Sequence, residues 1–325
     1  MIGYYVHHQG QGHLRRLTAL VTHLRTPVTG LSSLAPPPQW SGGWVTLPRD
    51  DEPPPGPGDD LTAGGVLHWA PRRHAGLRSR MAAVAGWINQ ARPTLVVTDV
   101  SVEVTLLARL LGVPVAVMAM AGERSDRPHQ LAYDLADRLV ASWPREAASP
   151  GWPQAWHDKT VYVGAFSRFD GRVPSPVGRG RRVLVLWGAG GDDVSDDERR
   201  AARTATPDWQ WTYRKGGGAD GIWEELMSAD VVVVHGGNNA VAEVAAARRP
   251  AVVVAQQRPF DEQVHRARAV HEAGIATGLE RWPAAQAWPD LLDEALARDP
   301  QRWALWSRGD GAQRAAEALD QLAGP

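Results

Sequence analysis

One short stretch of the chain combines residue types that could bind an anion. It begins with four valines at residues 231–234 and continues as His235-Gly236-Gly237-Asn238-Asn239. The valine run is short, continuous and β-branched, which predicts a strand buried on both faces of a parallel sheet. Asn238 or Asn239 can cap a helix after it. Amides of Gly236, Gly237 and Asn238 would then face a ligand at the helix N-terminus, which predicts a phosphate site.

Acidic and amide side chains follow this turn at positions that could contact a sugar. Glu243 lies about one turn into the predicted helix, where a carboxylate could accept hydrogen bonds from the diol of a ribose. Asp261, Glu262 and Gln263 follow the next predicted strand, and ligand contacts in a parallel sheet lie beyond the carboxyl ends of strands. Phosphate, ribose and sugar contacts in this order predict a sugar-nucleotide site.

The order of these residues resembles the nucleotide-binding half of inverting GT-B glycosyltransferases. The shared pattern is His-x-Gly-x-Asn-x-x-x-Glu from His235 to Glu243, then Arg249-Pro250-Ala251 and the pair Glu262-Gln263. The pattern is similar to that of plant and antibiotic UDP-sugar transferases and of the N-acetylglucosaminyltransferases that complete lipid II. The resemblance implies an α/β fold of two Rossmann-like, doubly wound domains facing a cleft. It also implies a nucleoside diphosphate sugar as donor, with UDP as the default.

Length and composition agree with a cleft enzyme and exclude other classes. The 325 residues favour two domains, and 43% hydrophobic and 22% charged residues are globular values. A net charge of −1 gives no basic field for nucleic acid, and the absence of cysteine excludes disulfides. Neither a signal peptide nor an apolar membrane span is recognisable, so a cytoplasmic enzyme is expected. A peripheral position at the inner membrane face, near a lipid-linked or cell-wall acceptor, stays open.

A second Gly-rich turn, Gly10-Gln11-Gly12-His13, follows the first predicted strand and starts a helix. The third glycine of a dinucleotide fingerprint would fall at Arg15, so that motif is absent. By the resemblance this loop faces the cleft, and Gly12-His13 takes the position of the catalytic base or of a donor-phosphate contact. His13 is the best candidate for the general base that deprotonates the acceptor hydroxyl. A plain capping role for His13 is the alternative, and His7 and His8 are weaker candidates for the base.

Similar enzymes place a carboxylate near the base histidine, and Asp99 is the candidate for it. Asp99 ends the predicted strand 95–99, where a parallel sheet displays working residues. Its carboxylate could fix the histidine tautomer and stabilise the charged ring. Two alternatives stay open: Asp99 caps the helix that begins at Ser101, or Glu103 is the partner of the histidine.

Further donor and acceptor contacts are predicted from loops in both halves of the chain. The predicted acceptor contacts are Gly12, Arg72, Arg124 and His129, although Arg72 could simply be solvated at the surface. By the resemblance, the loop after the first strand of the second half approaches the donor diphosphate from the side opposite His235. Small residues suit such an approach, and the glycines concerned are Gly188, Gly190 and Gly191.

Composition changes along the chain predict its domain borders. The segment 166–180, rich in Gly, Pro and Arg, separates an acceptor-binding domain (1–165) from a nucleotide-sugar-binding domain (181–305). By the resemblance, a last helix (306–325) packs back on the first domain, and Trp303 and Trp306 suit that packing. Within the second domain we expect a helix over 260–272 and a strand over 274–276.

The residues and the resemblance together predict an inverting hexosyltransferase. No metal ion and no further cofactor are expected, since no clear Asp-x-Asp pair adjoins a nucleotide strand, and Asp192-Asp193 is explained as a solvated turn. Two other classes stay open: a UDP-sugar 2-epimerase of similar fold, and a catalytically idle sugar-nucleotide binder. A retaining GT-B enzyme is disfavoured, because such enzymes carry two glutamates eight residues apart with the second on the ribose, and the position eight before Glu243 is His235.

Overall fold

The chain folds around two parallel β-sheets, each covered by helices. The computed structural model describes residues 1–9, 12–56, 58–187, 193–215 and 221–324. The first sheet contains β1 (Ile2–Val6), β2 (Val28–Ser32), β3 (Gly43–Thr46), β4 (Leu95–Asp99), β5 (Val115–Met118), β6 (Arg138–Ala141) and β7 (Thr160–Tyr162). The second contains β8 (Arg182–Trp187), β9 (Gln210–Lys215), β10 (Val231–His235), β11 (Ala251–Val254) and β12 (Thr277–Leu279).

Eleven α-helices are found among the described residues. Those of the first half are α1 (Gly12–Val21), α2 (Ala75–Ala91), α3 (Val102–Leu110), α4 (Arg127–Leu135) and α5 (Gln154–Asp158). Those of the second half are α6 (Asp196–Ala205), α7 (Ile222–Ser228), α8 (Asn238–Ala247), α9 (Glu262–Glu272), α10 (Trp288–Ala297) and α11 (Gly311–Ala323). In the described part of the chain, no helix is both long and apolar enough to cross a membrane.

The strand order of each sheet reverses once, which creates a crevice at the carboxyl ends of two strands. The first sheet has the order β3-β2-β1-β4-β5-β6-β7, so the reversal lies between β1 and β4. The second has the order β12-β11-β10-β8-β9, and its reversal lies between β8 and β10. Ligands of doubly wound sheets bind at such points. The prediction of a doubly wound α/β fold with two parallel sheets is confirmed.

The central strands are buried on both faces, as their continuous apolar runs predict. Val231, Val232, Val233 and Val234 of β10 are fully buried. Helices on both sides remove these side chains from water, and burial of each valine contributes about 1.5–3 kcal/mol relative to exposure. The strand ends are therefore held rigidly, and the turns that follow them are placed accurately.

The last helix crosses from the second half of the chain to the first. The apolar face of α11, including Ala315 and Leu319, packs with Leu17 of α1 in one core. Asp320 accepts hydrogen bonds from the amides of Arg25 and Thr26, both at 3.0 Å. These contacts join the two halves on the side of the first sheet that α1 covers.

Two elements of the second half differ from the sequence-based expectation. Helix α9 begins at Glu262 rather than at Phe260, because Phe260 and Asp261 have positive φ angles of 63° and 49°. The last strand is β12 rather than residues 274–276. The amides of Ile275 and Ala276 bond to the Val270 carbonyl at 2.9 and 3.2 Å, which closes the C-terminus of α9 and delays the strand.

The two tryptophans expected to pack on the first domain divide between the two halves. Trp303 donates its indole N–H to the carbonyl of Arg249 at 2.7 Å, within the second half. The carbonyl of Trp306 accepts a hydrogen bond from the Ala165 amide at 2.9 Å, at the end of the first half. Only Trp306 therefore makes a backbone contact toward the first domain.

Candidate active site

A histidine and an aspartate meet at the reversal point of the first sheet. β1 and β4 pair in parallel with Val6 opposite Asp99, so the turn after β1 lies beside the end of β4. Nδ1 of His13 lies 2.9 Å from Oδ1 of Asp99. The His13 side chain is 17% exposed and Asp99 is completely buried, so the ring is the part of the pair that solvent or a ligand can reach.

Two further groups hold Asp99 in its ionised form. Nη1 of Arg16 donates to Oδ1 at 2.7 Å, and the Tyr4 hydroxyl donates to Oδ2 at 3.4 Å. Burial alone would raise the pKa of Asp99, but the charges of Arg16 and His13 outweigh it and the pKa is lowered. An ionised Asp99 accepts a hydrogen bond from the Nδ1–H of His13. This leaves the lone pair of Nε2 free to accept a proton.

The alternatives to this pairing do not occur. The cap of α3 is Ser101, whose Oγ accepts a hydrogen bond from the Val104 amide at 3.2 Å, so Asp99 does not cap it. Oε1 of Glu103 accepts from the amides of His68 and Trp69, both at 2.9 Å. Glu103 was therefore the wrong alternative partner, because the preceding loop occupies its carboxylate.

The other two histidines of this turn are less suited to accept a proton from a ligand. Nε2 of His8 lies 3.3 Å from Oδ2 of Asp51, and its Nδ1 lies 3.4 Å from Nη2 of Arg80. Nδ1 of His7 accepts a hydrogen bond from the Gln9 amide at 3.2 Å. Burial, with the neighbouring His8, lowers the pKa of His7 to about 3, so this ring stays neutral.

The turn between β10 and α8 uses its amides differently from the prediction. The Gly236 amide donates to the Val254 carbonyl at 3.0 Å, and the Gly237 amide donates to Nδ1 of His235 at 3.1 Å. The helix cap is Gly237 rather than Asn238 or Asn239, and it offers no side chain. Because the first turn of a helix has no internal acceptors for its N–H groups, the amides of residues 238–240 are the ones available to an anion.

Packing explains why glycines occupy this turn. A Cβ on Gly236 would lie 2.9 Å from the Gln263 carbonyl, at the start of α9. A Cβ on Gly237 would lie 2.3 Å from Cε1 of His235, because the ring folds back over the turn to accept the Gly237 amide. Both contacts are too close for a real Cβ, so a larger residue must displace backbone at Gly236 and the His235 ring at Gly237.

Replacing Gly237 by alanine is expected to destabilise the turn by about 1–3 kcal/mol, the usual cost of overpacking. The His235 ring must swing away, which breaks its bond to the residue 237 amide and loosens the start of α8. Thermal unfolding measures the loss of stability. Gly86→Ala is the control: Gly86 lies inside α2 with no atom near its missing Cβ. Equal behaviour of the two variants would contradict the prediction.

Positive charge surrounds the His235 turn. Nη1 of Arg266 donates to the Gly236 carbonyl, and Arg266 is almost fully buried. Burial lowers the pKa of Arg266 to about 10, so the guanidinium is still charged at neutral pH. Burial also lowers the pKa of His235 to about 4, as do the charges of Arg258 and Arg266. The ring is thus neutral and orders the turn, while the arginines supply the charge.

Glu243 lies on the inner face of α8 and carries an ion pair across the cleft. Its Oε1 lies 3.0 Å from Nε of Arg168, which belongs to the segment 166–180 between the two domains. The Glu243 side chain is 11% exposed, and burial raises the pKa of Glu243 even though Arg168 opposes the shift. The carboxylate predicted to bind ribose is therefore buried at the cleft and already has one cationic partner.

The three predicted sugar contacts at the start of α9 have different environments. Asp261 is exposed at the start of the helix. Oε2 of Glu262 lies 3.7 Å from Nη2 of Arg124. Gln263 is 3% exposed, and its Oε1 accepts a hydrogen bond from the Gln256 amide at 3.1 Å. The side-chain oxygen of Gln263 is thus occupied by the Gln256 amide at the edge of the sheet. Asp261 and Glu262 remain as the accessible candidates for contact with a sugar.

Two predicted acceptor contacts prove to have other partners. The side chain of Arg72 is 83% exposed and lies 3.8 Å from the carboxylate of Asp60, which agrees with the alternative of a solvated surface arginine. Arg124 is 3% exposed, donates to the Ala121 carbonyl at 2.6 Å and lies 4.6 Å from the centre of the Phe260 ring. Because its donors and its flat face are occupied, Arg124 joins the two domains instead of meeting an acceptor.

His129 belongs to a hydrogen-bonded cluster with Asp126 and His68. Nδ1 of His129 lies 2.6 Å from Oδ1 of Asp126, and Nε2 of His68 lies 3.0 Å from Oδ2. The guanidinium of Arg124 lies 3.5 Å from Nε2 of His129 and can only donate. Nδ1 of His129 therefore carries a proton and donates a hydrogen bond to Asp126. This disfavours a metal ion at Nδ1, although the three side chains lie close together. The cluster is reachable mainly through His68.

Direct contacts bring the two reversal points to the same cleft. A Cβ on Gly12, at the start of α1, would lie 3.4 Å from Nδ2 of Asn239 in α8. Ser142, after β6, donates from Oγ to Oδ1 of Asn238 at 3.2 Å. The Glu123 amide donates to the Phe260 carbonyl at 3.1 Å. The N-terminus of α8 thus faces the loops of the first domain, and Gly12 is where the two helix starts approach closest.

Comparison with known proteins agrees with this geometry. Residues 219–300 match the model of the glycosyltransferase family 28 C-terminal domain. This part of the chain is therefore similar to the C-terminal domain of family 28 glycosyltransferases. The matched segment contains the His235 turn, Glu243 and the start of α9. No curated protein matches the chain at a significant level.

Solved structures match the family 28 domain together with the rest of the chain. A glycotransferase of kitacinnamycin has a TM-score of 0.67 and 16% identity, over 99% of this chain and 98% of that one. MurG of Acinetobacter baumannii has a TM-score of 0.61 and 15% identity, over 98% of both chains. UGT2 of Phytolacca americana, in complex with UDP-2-fluoro-glucose and pterostilbene, has a TM-score of 0.57 and 14% identity, over 99% and 93%.

At 14–16% identity the solved structures establish the fold alone. The resemblance to glycosyltransferases rests on the match of residues 219–300 to the family 28 domain. The fold is GT-B, as predicted. The predicted recognition of a glycosyltransferase is confirmed by the family 28 domain within that fold. Gly188, Gly190 and Gly191, predicted to contact the donor diphosphate, lie outside the described residues.

Several residues of the site escaped the sequence analysis. Arg16 and Tyr4 fix Asp99, and Arg168 pairs with Glu243. For Arg16 a signal existed, because it lies three residues after His13 and therefore on the same side of α1. No such signal existed for Arg168, because it lies in a loop and contacts Glu243 only through the tertiary fold.

Proposed function

We propose that the chain is an inverting glycosyltransferase that moves a sugar from a nucleoside diphosphate sugar, with UDP the default nucleotide, to a hydroxyl acceptor. The observation that carries the proposal is the pairing of His13 with buried Asp99 at one side of a cleft whose other side is the N-terminus of α8. The pair supplies a base, and the helix start supplies an anion site. No metal ion and no further cofactor are part of this proposal.

In this proposal His13 activates the acceptor. The acceptor oxygen attacks the anomeric carbon of the donor as its proton passes to Nε2 of His13, while Nδ1 keeps its hydrogen bond to Asp99. A new carbon–oxygen bond forms, and the bond from the anomeric carbon to the diphosphate breaks, with its electron pair leaving on the nucleotide. Attack from the face opposite the leaving group inverts the anomeric centre.

The leaving diphosphate gains charge, which the start of α8 is suited to stabilise. The free amides of residues 238–240 and the helix dipole favour negative charge there. Arg266, bonded to the Gly236 carbonyl, adds a buried positive charge behind the turn. Glu243 would accept hydrogen bonds from the ribose hydroxyls, and Asp261 and Glu262 are the remaining candidates for contact with the sugar.

The test is to incubate the purified chain with UDP-sugars and a panel of hydroxyl acceptors, and to follow UDP release with and without acceptor. Release that depends on acceptor, and a glycoside whose anomeric configuration in proton NMR is opposite to that of the donor, support the proposal. Conversion of the donor sugar without acceptor would indicate the 2-epimerase instead. Binding of donors without turnover would indicate an idle sugar-nucleotide binder, and dependence on an added divalent ion would contradict metal independence.

The ribose assignment makes a separate prediction for Glu243→Ala. Loss of a hydrogen bond to a charged acceptor costs about 1.5–3 kcal/mol, so we expect UDP to bind at least about tenfold more weakly. Calorimetric titration measures this. The matched ligand is 2′,3′-dideoxy-UDP, whose affinity should not change, because it lacks the hydroxyls that Glu243 would bind. An equal loss for both nucleotides would instead indicate a general disturbance of α8.

A further inference from the structure

The side chain opposite Glu243 comes from outside the matched residues, from the segment 166–180 between the two domains. Nε of Arg168 lies 3.0 Å from Oε1 of Glu243, and the two side chains are 25% and 11% exposed. Together with Phe166 and Ser167, this arginine faces Asn239 and Glu243 of α8 across a small crevice. Among the described residues, Arg168 is the one side chain with a hydrogen-bond-length contact to the Glu243 carboxylate.

A carboxylate at this degree of burial accepts hydrogen bonds from a diol only while it stays ionised and correctly oriented. Burial acts against ionisation: it raises the pKa of Glu243, while Arg168 and, more weakly, Arg15 act in the opposite direction. Arg16 lines the same crevice, but its Nη1 donates to Asp99. Arg168 is thus the only one of the three arginines in hydrogen-bond contact with Glu243.

The contact also leaves the acceptor capacity of Glu243 largely unused. An ionised carboxylate offers about four lone pairs, and one Nε–H contact at Oε1 occupies one of them. An arginine that approaches from one side can therefore fix the plane of the carboxylate while the second oxygen accepts from a ligand.

We propose that Arg168 is a positioning residue that holds the Glu243 carboxylate as the acceptor for the ribose hydroxyls of the donor. The inference rests on the proposed function, since it assigns the partner of the ribose acid. It gives the segment between the domains a direct part in donor recognition. Donor affinity then depends on the contact between Arg168 and Glu243 of α8 as well as on the second domain itself.

Calorimetric titration of the full chain with UDP and with 2′,3′-dideoxy-UDP tests the role of Arg168. For the wild type we expect UDP to bind at least about tenfold tighter than the dideoxy nucleotide. Arg168→Met should bring this ratio close to one. Arg168→Lys, which keeps the charge but loses the Nε geometry, should restore the ratio in part.

The pH dependence separates positioning from a merely structural role. Without Arg168, burial raises the pKa of Glu243 further, and the neutral acid is a poorer acceptor. As the pH is lowered from 8, UDP affinity of Arg168→Met should therefore begin to fall at a higher pH than that of the wild type. Dideoxy-UDP affinity should follow the same course in both proteins.

A neighbouring arginine provides the matched control. Arg168 also lies 4.8 Å from the centre of the Phe169 ring, so its loss removes a packing contact as well as the ion pair. Arg172 lies 5.2 Å from the same ring but has no contact with Glu243. Arg172→Met should therefore lose the stacking and keep the nucleotide ratio.

Four contrary outcomes are distinguishable. If Arg168→Met keeps both the ratio and the pH course of the wild type, Arg168 only ties the segment to α8 and the inference is overturned. If Arg172→Met loses the ratio equally, stacking on Phe169 explains the effect, and the inference is again overturned. If the wild type binds UDP but does not discriminate, the ribose role of Glu243 fails; if it binds no nucleoside diphosphate at all, the proposed function fails with it.

Discussion

Replacing His13 by alanine is expected to lower kcat for glycosyl transfer about 10²- to 10⁴-fold, the usual contribution of a positioned general base. Nδ1 of His13 is fixed by Asp99 at 2.9 Å, so Nε2 is the atom that can take the acceptor proton. UDP affinity should change less than about threefold, because the helix start that would bind the diphosphate belongs to the other sheet. The measurements are UDP release with acceptor present and calorimetric titration with UDP.

The control for this variant is His23→Ala. His23 follows the far end of α1 and is exposed, so its loss should leave kcat unchanged. A His13→Ala enzyme with wild-type kcat would remove His13 from the reaction and make His68, the more accessible histidine of the cluster with Asp126, the next candidate for the base. A variant with equally weakened UDP binding would place His13 in the donor site instead.

The pairing of His13 with Asp99 could be predicted from the sequence because both residues follow strands of one parallel sheet. A short apolar strand followed by a polar residue places that residue at the carboxyl edge, whatever lies elsewhere in the fold. What the pattern could not supply is that β1 and β4 are neighbours across the reversal of strand order. That adjacency brings Val6 opposite Asp99 and decides between Asp99 and Glu103.

The anion site at this turn stays a prediction, but two of the three amides predicted for it have other partners. A glycine pair after a strand indicates close approach of a ligand, so the amides of Gly236 and Gly237 were predicted to face it together with that of Asn238. In the structure the glycines serve packing: one lies against α9 and the other under the His235 ring. The sequence does not reveal this, because both contacts are tertiary or depend on a side-chain rotamer.

The contacts between the two halves of the chain were the least predictable part of the site. Arg124 resembles a free surface arginine in the sequence, yet Phe260 and Glu262 of the second half cover it. Phe260 reaches it from a backbone conformation with φ of 63°, which non-glycine residues rarely adopt and no local pattern signals. Predictions based on one segment at a time find strand ends and helix starts, but not the partners across a cleft.

Replacing Asp99 by asparagine is expected to affect both catalysis and stability. An amide can donate to Nδ1 of His13 and hold the ring in the wrong tautomer, so kcat should fall about 10²- to 10⁴-fold. Arg16, 6% exposed and bonded to Asp99 at 2.7 Å, would be left as a buried charge without its counter-ion. Breaking such a pair costs about 3–5 kcal/mol in the free energy of unfolding, which urea denaturation at pH 7 measures.

The pH dependence of that stability loss distinguishes the ion pair from simple packing. The pKa of Asp99 is lowered in the folded protein, so its contribution to stability is complete above the unfolded value of about 4 and is lost as the pH falls below it. The asparagine variant has no such group to protonate. The difference in unfolding free energy between wild type and Asp99→Asn should therefore shrink from pH 7 to about pH 3. A constant difference would mean that Arg16 does not depend on the charge of Asp99, and the tautomer argument for His13 would lose its electrostatic basis.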